Sequence, residues 1–145
     1  MSKTFDAAIV GATGAVGEAL IEILEQRDFP VGELYLLASE RSAGSSLKFK
    51  NKSIKVSDLA EFDFSKVQIG LFSAGGSISE IYAPKAAAAV CIVIDNTSHC
   101  RYDDYIPLVV PEVNPESIAG YTTLNIIPNP NCSTLQMLVA LKSIH

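Results

Sequence analysis

A glycine-rich loop near the start of the chain constrains its fold more than any other feature. The apolar run at residues 7–10 leads directly into Gly-Ala-Thr-Gly-Ala-Val-Gly at residues 11–17, after which apolar residues recur with helical period. Strand, glycine loop and helix in this order are typical of a dinucleotide-binding unit, in which phosphates rest on the helix N-terminus. The glycine spacing differs from the commoner Gly-x-Gly-x-x-Gly, so an ordinary glycine turn of an α/β protein is the alternative. The predicted cofactor contacts in this loop are Gly11, Thr13, Gly14, Ala15 and Val16.

The end of the second predicted strand indicates which nucleotide the loop would hold. Residues 34–38 are apolar and lead into Ser39, Glu40, Arg41 and Ser42. An acidic residue at this place can bind the ribose 2′-hydroxyl of NAD, whereas an arginine accommodates the 2′-phosphate of NADP. A guanidinium flanked by two hydroxyls suits a phosphate better than a diol, so the pattern favours NADP. An exposed loop without a ligand is the alternative.

Cys132 follows a short apolar strand and two prolines, and it precedes an apolar pattern of helical period that begins at Leu135. A thiol at a helix N-terminus is favoured as the thiolate, because the free N–H groups and the helix dipole stabilise negative charge. The same N–H groups can hold an oxyanion formed when the thiolate attacks a carbonyl. The pattern therefore indicates a nucleophilic cysteine, with a buried structural cysteine as the alternative.

Strand-like and helix-like segments alternate along the chain, which predicts a Rossmann-like, doubly wound, mainly parallel sheet with helices on both faces. Period-two alternation around Asn51-Lys52 predicts a small inserted antiparallel hairpin. Small residues at 73–77 follow another buried strand and permit close approach of a ligand. A helix is predicted from about Ser79 to Val90, with Pro84 in its first turns.

Composition limits the classes of function. The 145 residues suffice for one ordinary domain, and 48% of them are hydrophobic. A net charge of −5 without a basic run argues against a nucleic-acid surface, and no segment resembles a signal peptide or a membrane span. The three cysteines at positions 91, 100 and 132 lack metal-ligand spacing, which fits a reduced, cytoplasmic protein without a metal site. Cys91, between Val90 and Ile92, is predicted to lie in the core.

Six motifs occur together and in order, and their combination resembles the N-terminal, NADP-binding part of aspartate-β-semialdehyde dehydrogenases. They are GATGAVG at 11–17, RSAG at 41–44, SAGGS at 73–77, DNTS at 95–98, PLVVPEVN at 107–114 and PNCST at 130–134. The resemblance implies that Cys132 is the nucleophile that forms an acyl thioester, and that Arg101 and Asn131 bind the substrate phosphate. It also implies NADP contacts from Ser73, Ala74, Gly75 and Asn96, and a homodimer or homotetramer for the full-length enzyme.

The sequence departs from the family pattern in two places. His99 and Cys100 stand where the family more often has an alanine and a large apolar residue. The family's second half, which supplies the acid/base histidine and most of the dimer interface, has no counterpart in residues 1–145, and His145 matches no family motif. We therefore expect this chain to be a nucleotide-binding domain that is inactive alone.

Two other functions remain open at this point: an NADP-binding module without turnover, and another acyl-phosphate reductase such as N-acetyl-glutamyl-phosphate reductase. Cys132 favours an enzyme over a binding module. The Asn131-Cys132 pair favours an aspartyl over an N-acetyl-glutamyl substrate, because the second family carries Gly-Cys at that point.

Overall fold

The computed structural model describes residues 3–99, 101, 108–117, 125–130, 137–138 and 140–142. These residues form a seven-stranded sheet and two long helices. The strands are β1 (Phe5–Val10), β2 (Val31–Ala38), β3 (Ser46–Phe49), β4 (Lys52–Asp58), β5 (Ile69–Phe72), β6 (Ile92–Asp95) and β7 (Ile126–Pro128), and the helices are α1 (Ala15–Gln26) and α2 (Gly76–Ala88).

The sheet has the order β3-β4-β2-β1-β5-β6-β7. Every neighbouring pair is parallel except β3 and β4, which form the antiparallel hairpin. From the central strand β1, the chain crosses through α1 to β2 on one side, while β5, α2 and β6 extend the sheet on the other. This reversal of direction beside β1 is the switch point at which doubly wound sheets bind ligands, at the carboxyl ends of the strands. The predicted fold class is confirmed.

Two apolar clusters cover opposite faces of the sheet, because successive strand residues point to opposite sides. Ala8 and Val10 of β1 pack in one cluster with Ala83 and Ala86 of α2. Ala7 and Ile9 pack in the other with Ile21 of α1. The helices therefore lie on both faces, as predicted.

Two local predictions need correction. The hairpin turns at Lys50 and Asn51, with φ of 49° and 66°, so the turn lies one position before Asn51-Lys52. Two consecutive positive φ angles match the twist of a two-residue hairpin. Helix α2 begins at Gly76, not near Ser79, and ends at Ala88, which places Pro84 in the middle of the helix. The start moves earlier because Gly75, with φ of 98°, ends the preceding loop.

Candidate nucleotide-binding site

The loop between β1 and α1 depends on two glycines for close contacts. Gly11 has φ of 89°, and a Cβ on it would lie 3.0 Å from the Ala74 backbone. A Cβ on Gly17 would overlap the Gly11 carbonyl oxygen. Gly14 is the N-cap of α1, and among the described residues no side chain caps that helix end. The first N–H groups of α1 are therefore available to a phosphate.

The loop after β5 lies against the first loop. The amide and hydroxyl of Ser73 both donate to the Val10 carbonyl oxygen, at 2.9 and 3.1 Å. Gly75 has a positive φ, and a Cβ on it would have no heavy atom within 4 Å, so the backbone there faces open space. Sequence reasoning assigned both loops to the cofactor, and the fold brings them together.

A cleft of about 430 Å³ lies beside these loops, at the carboxyl ends of β1, β2 and β4. Four predicted contacts line it: Gly11, Thr13, Ser39 and Ala74. The other lining residues, apart from Glu40, were not foreseen as ligand contacts; they are Ala38, Asp58, Leu59, Ala60, Ile78 and Tyr82. For Asp58, Leu59 and Ala60 the missing signal was strand order, because β4 is the parallel neighbour of β2 and so ends at the same edge.

The turn after β2 carries Arg41 and Ser42. The Ser42 amide donates to the Ser39 carbonyl oxygen at 2.9 Å, and the Gly44 amide donates to that of Val56 at 2.9 Å. These bonds hold the exposed Arg41 next to the lining residue Glu40. Ser39 and Glu40 line the cleft, whereas Arg41 and Ser42 are not among its lining residues.

A second cavity, of about 170 Å³, lies on the other side of the first turns of α1. It brings two more predicted cofactor contacts, Val16 and Asn96, to one place, together with Asn129. The remaining lining side chains are those of Ala19, Leu20, Ile23, Leu71, Phe72 and Ile94. This cavity is more apolar than the first, which suits a flat ring better than a phosphate.

Arg101 bridges the ends of two neighbouring strands. Its Nε donates to the Asn129 carbonyl oxygen at 2.8 Å, and its Nη2 donates to that of Asn96 at 3.1 Å. Asn131 and Cys132 lie outside the described residues, as do Cys100 and His145. Residues 137–138 and 140–142, farther along the same segment, are helical.

Two further sequence expectations concern cysteine and histidine. Cys91 is fully buried, as predicted, and burial raises the pKa of its thiol from 9.0 to about 12. It is therefore a core residue and not a reactive thiol. His99 is exposed in the loop after β6, where its amide donates to the Thr97 hydroxyl oxygen at 3.3 Å.

Within the part of the chain that the structure describes, His, Cys, Asp and Glu side chains form no group of three or more that could hold a metal ion. No helix in that part is long and apolar enough to cross a membrane.

Comparison with known proteins identifies relatives along the whole chain. Residues 6–121 match the family described as semialdehyde dehydrogenase, NAD binding domain. The chain is 62% identical over 145 residues to aspartate-semialdehyde dehydrogenase 2 of Vibrio cholerae, covering 100% of this chain and 43% of that protein. The resemblance read from the motifs is thereby confirmed.

Two solved structures extend the comparison. The crystal structure of aspartate semialdehyde dehydrogenase II from Vibrio cholerae, complexed with ASA, superimposes with a TM-score of 0.96 at 62% identity. The match covers 98% of this chain and 46% of that one. Aspartate semialdehyde dehydrogenase with NADP from Candida albicans gives 0.80 at 26% identity, covering 98% and 47%. The chain thus spans less than half the length of each of these three relatives.

Proposed function

Because the chain belongs to the semialdehyde dehydrogenase family, we propose that it forms the nucleotide-binding and nucleophile-bearing part of an aspartate-semialdehyde dehydrogenase. The reaction is the reversible, NADP-dependent reductive dephosphorylation of β-aspartyl phosphate, which serves the synthesis of lysine or diaminopimelate, methionine and threonine. The observation that carries the proposal is 62% identity over all 145 residues to an enzyme of that name. We further propose that the full-length enzyme is a cytoplasmic homodimer or homotetramer.

The residues present fit a dinucleotide. Gly11 allows the two loops to approach closely, since a Cβ there would lie 3.0 Å from the Ala74 backbone, and Gly75 leaves open space beside the second loop. We place the pyrophosphate at the uncapped start of α1, the adenosine half in the larger cleft, and the nicotinamide half toward Val16 and Asn96. Arg41, with Ser39 and Ser42, supports NADP, because a guanidinium pairs with the 2′-phosphate. When bound, NADPH supplies the hydride.

The chain's own part in the chemistry begins with Cys132. Its thiolate attacks the acyl carbonyl of β-aspartyl phosphate, the bond to the phosphate oxygen breaks, phosphate leaves, and a thioester remains. Arg101 and Asn131 hold the phosphate before it leaves. Backbone N–H groups at Cys132 and Ser133 stabilise the oxyanion. We place the general acid/base outside residues 1–145.

The contact between Arg101 and Asn129 supports this assignment of roles. The Asn129 carbonyl oxygen lies 2.8 Å from Arg101 Nε, and the chain reaches Asn131 two residues later. The phosphate-binding arginine is therefore held by the same short segment that supplies the asparagine and the nucleophile. A guanidinium at this place binds an acyl phosphate through paired N–H donors.

The first prediction tests both the chemistry and the cofactor in the full-length protein. Wild type should reduce NADP with aspartate semialdehyde only when phosphate is present, and Cys132→Ala should abolish this while still binding NADP.

Arg41→Ala should weaken NADP binding about tenfold or more without changing NAD binding, because one charged phosphate contact is lost.

Steady-state assays measure turnover, and calorimetric titration of each nucleotide measures binding. Equal wild-type affinity for NAD and NADP would contradict the cofactor assignment, and turnover by Cys132→Ala would contradict the nucleophile. Arg27→Ala is the matched control, since Arg27 ends α1 at the opposite end from the nucleotide loop.

A further inference from the structure

Asp95, the last residue of β6, is a carboxylate with no solvent exposure. Its Oδ1 accepts hydrogen bonds from the Ser79 hydroxyl and the Thr97 amide, both at 2.9 Å. Its Oδ2 accepts one from the Thr97 hydroxyl at 3.0 Å. A buried carboxylate is costly unless donors surround it, and all three of these partners donate. The arrangement is therefore a built network.

The network fixes the loop that leaves β6. Thr97 contacts the carboxylate twice, through its amide and its hydroxyl. The same hydroxyl oxygen accepts the His99 amide at 3.3 Å. Ser79, in the first turns of α2, ties the carboxylate to a helix on one face of the sheet. The backbone from Asp95 to His99 is thus held by side chains and not only by its own turn.

Both oxygens that orient Arg101 belong to residues adjoining this network. Asn96 lies between Asp95 and Thr97 in the chain, and its carbonyl accepts from Arg101 Nη2. The backbone amide of Asn129 donates to the Asp95 carbonyl oxygen at 2.8 Å, and the backbone carbonyl oxygen of Asn129 accepts from Arg101 Nε. These contacts use the Nε–Nη2 edge of the guanidinium. Among the described contacts, the outer edge of the two terminal nitrogens is not used, and this edge can grip an oxyanion with two N–H donors.

We propose that Asp95, acting through Thr97, is a positioning residue for Arg101, so that the outer edge of the guanidinium faces the substrate phosphate. The inference rests on the proposed function, because it requires that Arg101 bind that phosphate. Small misplacements of a substrate-gripping group cost large factors in rate or affinity. Asn96 adjoins both the Arg101 contact and the cavity assigned to the nicotinamide half, so loss of the Thr97 hydroxyl should weaken phosphate binding much more than nucleotide binding, which has further contacts in the glycine loops.

The test compares variants of the full-length protein in the phosphorylating direction. Thr97→Val keeps the shape of the side chain but removes its hydroxyl, whereas Thr97→Ser keeps the hydroxyl. We expect Thr97→Val to raise the KM for phosphate by about tenfold or more, with the KM for NADP within about twofold of wild type. Thr97→Ser should restore the KM for phosphate to within about threefold of wild type.

Ser79→Ala is the matched control, because it removes another donor from the same carboxylate while leaving both Thr97 contacts in place. It should lower the melting temperature with little change in the KM for phosphate. If Ser79→Ala and Thr97→Val lower the melting temperature equally and raise the KM for phosphate equally, the role is only structural and the inference is wrong. If Thr97→Val does not fold, Thr97→Ala carries the same expectation, because it removes the hydroxyl without placing a methyl group beside the Asp95 carboxylate.

Arg101→Ala separates the two levels of the argument. If it leaves the KM for phosphate unchanged, the proposed phosphate role of Arg101 fails. If it raises this KM while Thr97→Val does not, only the positioning inference fails. A rise with both variants, reversed by Thr97→Ser, supports both.

Discussion

At the scale of single residues, the glycines of the nucleotide loop differ in how strongly the structure excludes a side chain at each position. A Cβ on Gly17 would overlap the Gly11 carbonyl oxygen, within the interior of the β1–α1 unit. A Cβ on Gly14 would lie 3.5 Å from the same oxygen, which is ordinary contact, and Gly14 has a φ of −80° that any residue adopts. The glycines are equally spaced in the sequence, but the structure excludes a Cβ at position 17 and tolerates one at position 14.

This difference predicts unequal effects of the same substitution. Gly17→Ala should lower the free energy of unfolding by about 3 kcal/mol, because overpacking against backbone forces a shift of the loop. Gly14→Ala should lower it by only about 1 kcal/mol, because alanine is a poorer N-cap than glycine but meets no backbone clash here. Urea unfolding followed by circular dichroism measures both, and equal losses of stability would show that the loop can move away from Gly17.

Sequence reasoning found the glycine loops at this scale but not the role of Asp95. The tetrapeptide Asp95–Ser98 served as a family motif, and an acidic side chain is by default expected at the surface. Its burial depends on donors from Ser79 and Thr97, and Ser79 lies on another element. A contact between elements leaves no periodic pattern in the sequence, so only the fold could reveal it.

At the scale of elements, the predicted helix from about Ser79 to Val90 differs from the observed α2, Gly76–Ala88. Small and polar residues at its start and a run of alanines at its end give no clear apolar face, so hydrophobic periodicity did not locate its limits. Pro84 then appeared to belong to the first turn, where proline is tolerated. The helix instead continues through Pro84, whose missing N–H leaves the carbonyl oxygen of Glu80 without its usual helical partner.

Replacing this proline should therefore stabilise the protein. Pro84 is exposed, so Pro84→Ala loses little packing and restores a backbone hydrogen bond. We expect the free energy of unfolding to rise by about 1 kcal/mol or more. Glu80→Ala, also exposed in α2, is the control and should change it by less than about 0.5 kcal/mol. A lower melting temperature for Pro84→Ala would mean that the ring itself stabilises the helix.

At the scale of the whole molecule, alternation of strand-like and helix-like segments was enough to predict a doubly wound parallel sheet. It did not predict that β4 pairs with β2 only at Leu36–Ala38, nor the two short 3₁₀ turns, Leu59–Glu61 and Phe64–Lys66, between β4 and β5. Those turns begin at Asp58 and Asp63, whose side chains accept from Ala60 and Ser65 amides. Such caps form between neighbouring residues, but the surrounding fold decides whether an aspartate side chain caps a turn or is directed toward a ligand.

The buried thiol of Cys91 gives a probe of the stability of this fold. Because its pKa is about 12 in the folded state, about one thiol in ten thousand is ionised at pH 8, against about one in ten at the ordinary value of 9.0. Alkylation of Cys91 should therefore require unfolding and should speed up with urea. Mass spectrometry after timed iodoacetamide treatment measures this.

The pH dependence of stability has a definite sign. Below about pH 9, folded and unfolded chains both keep the Cys91 proton. Between about pH 9 and 12 only the unfolded chain releases it, so the contribution of Cys91 to stability is lost as pH rises through this window. Cys91→Ala should remove that part of the alkaline decline. Rapid alkylation of Cys91 without urea at pH 8 would contradict the burial on which both expectations depend.

The two carbonyl groups that hold Arg101 are made at different times when the chain is synthesised. Asn96 precedes the arginine, whereas Asn129 follows it by 28 residues and becomes available only when β7 has emerged. At about 5–20 residues per second, the ribosome takes about 1.5–6 s to add that stretch. Until Asn129 is available, the Asn96 carbonyl oxygen is the only one of these two anchors that the chain can offer. The nucleotide loop at residues 11–17, the β2 carbonyl that its amides contact and the loop at 73–77 are therefore all synthesised well before Arg101 gains its second anchor.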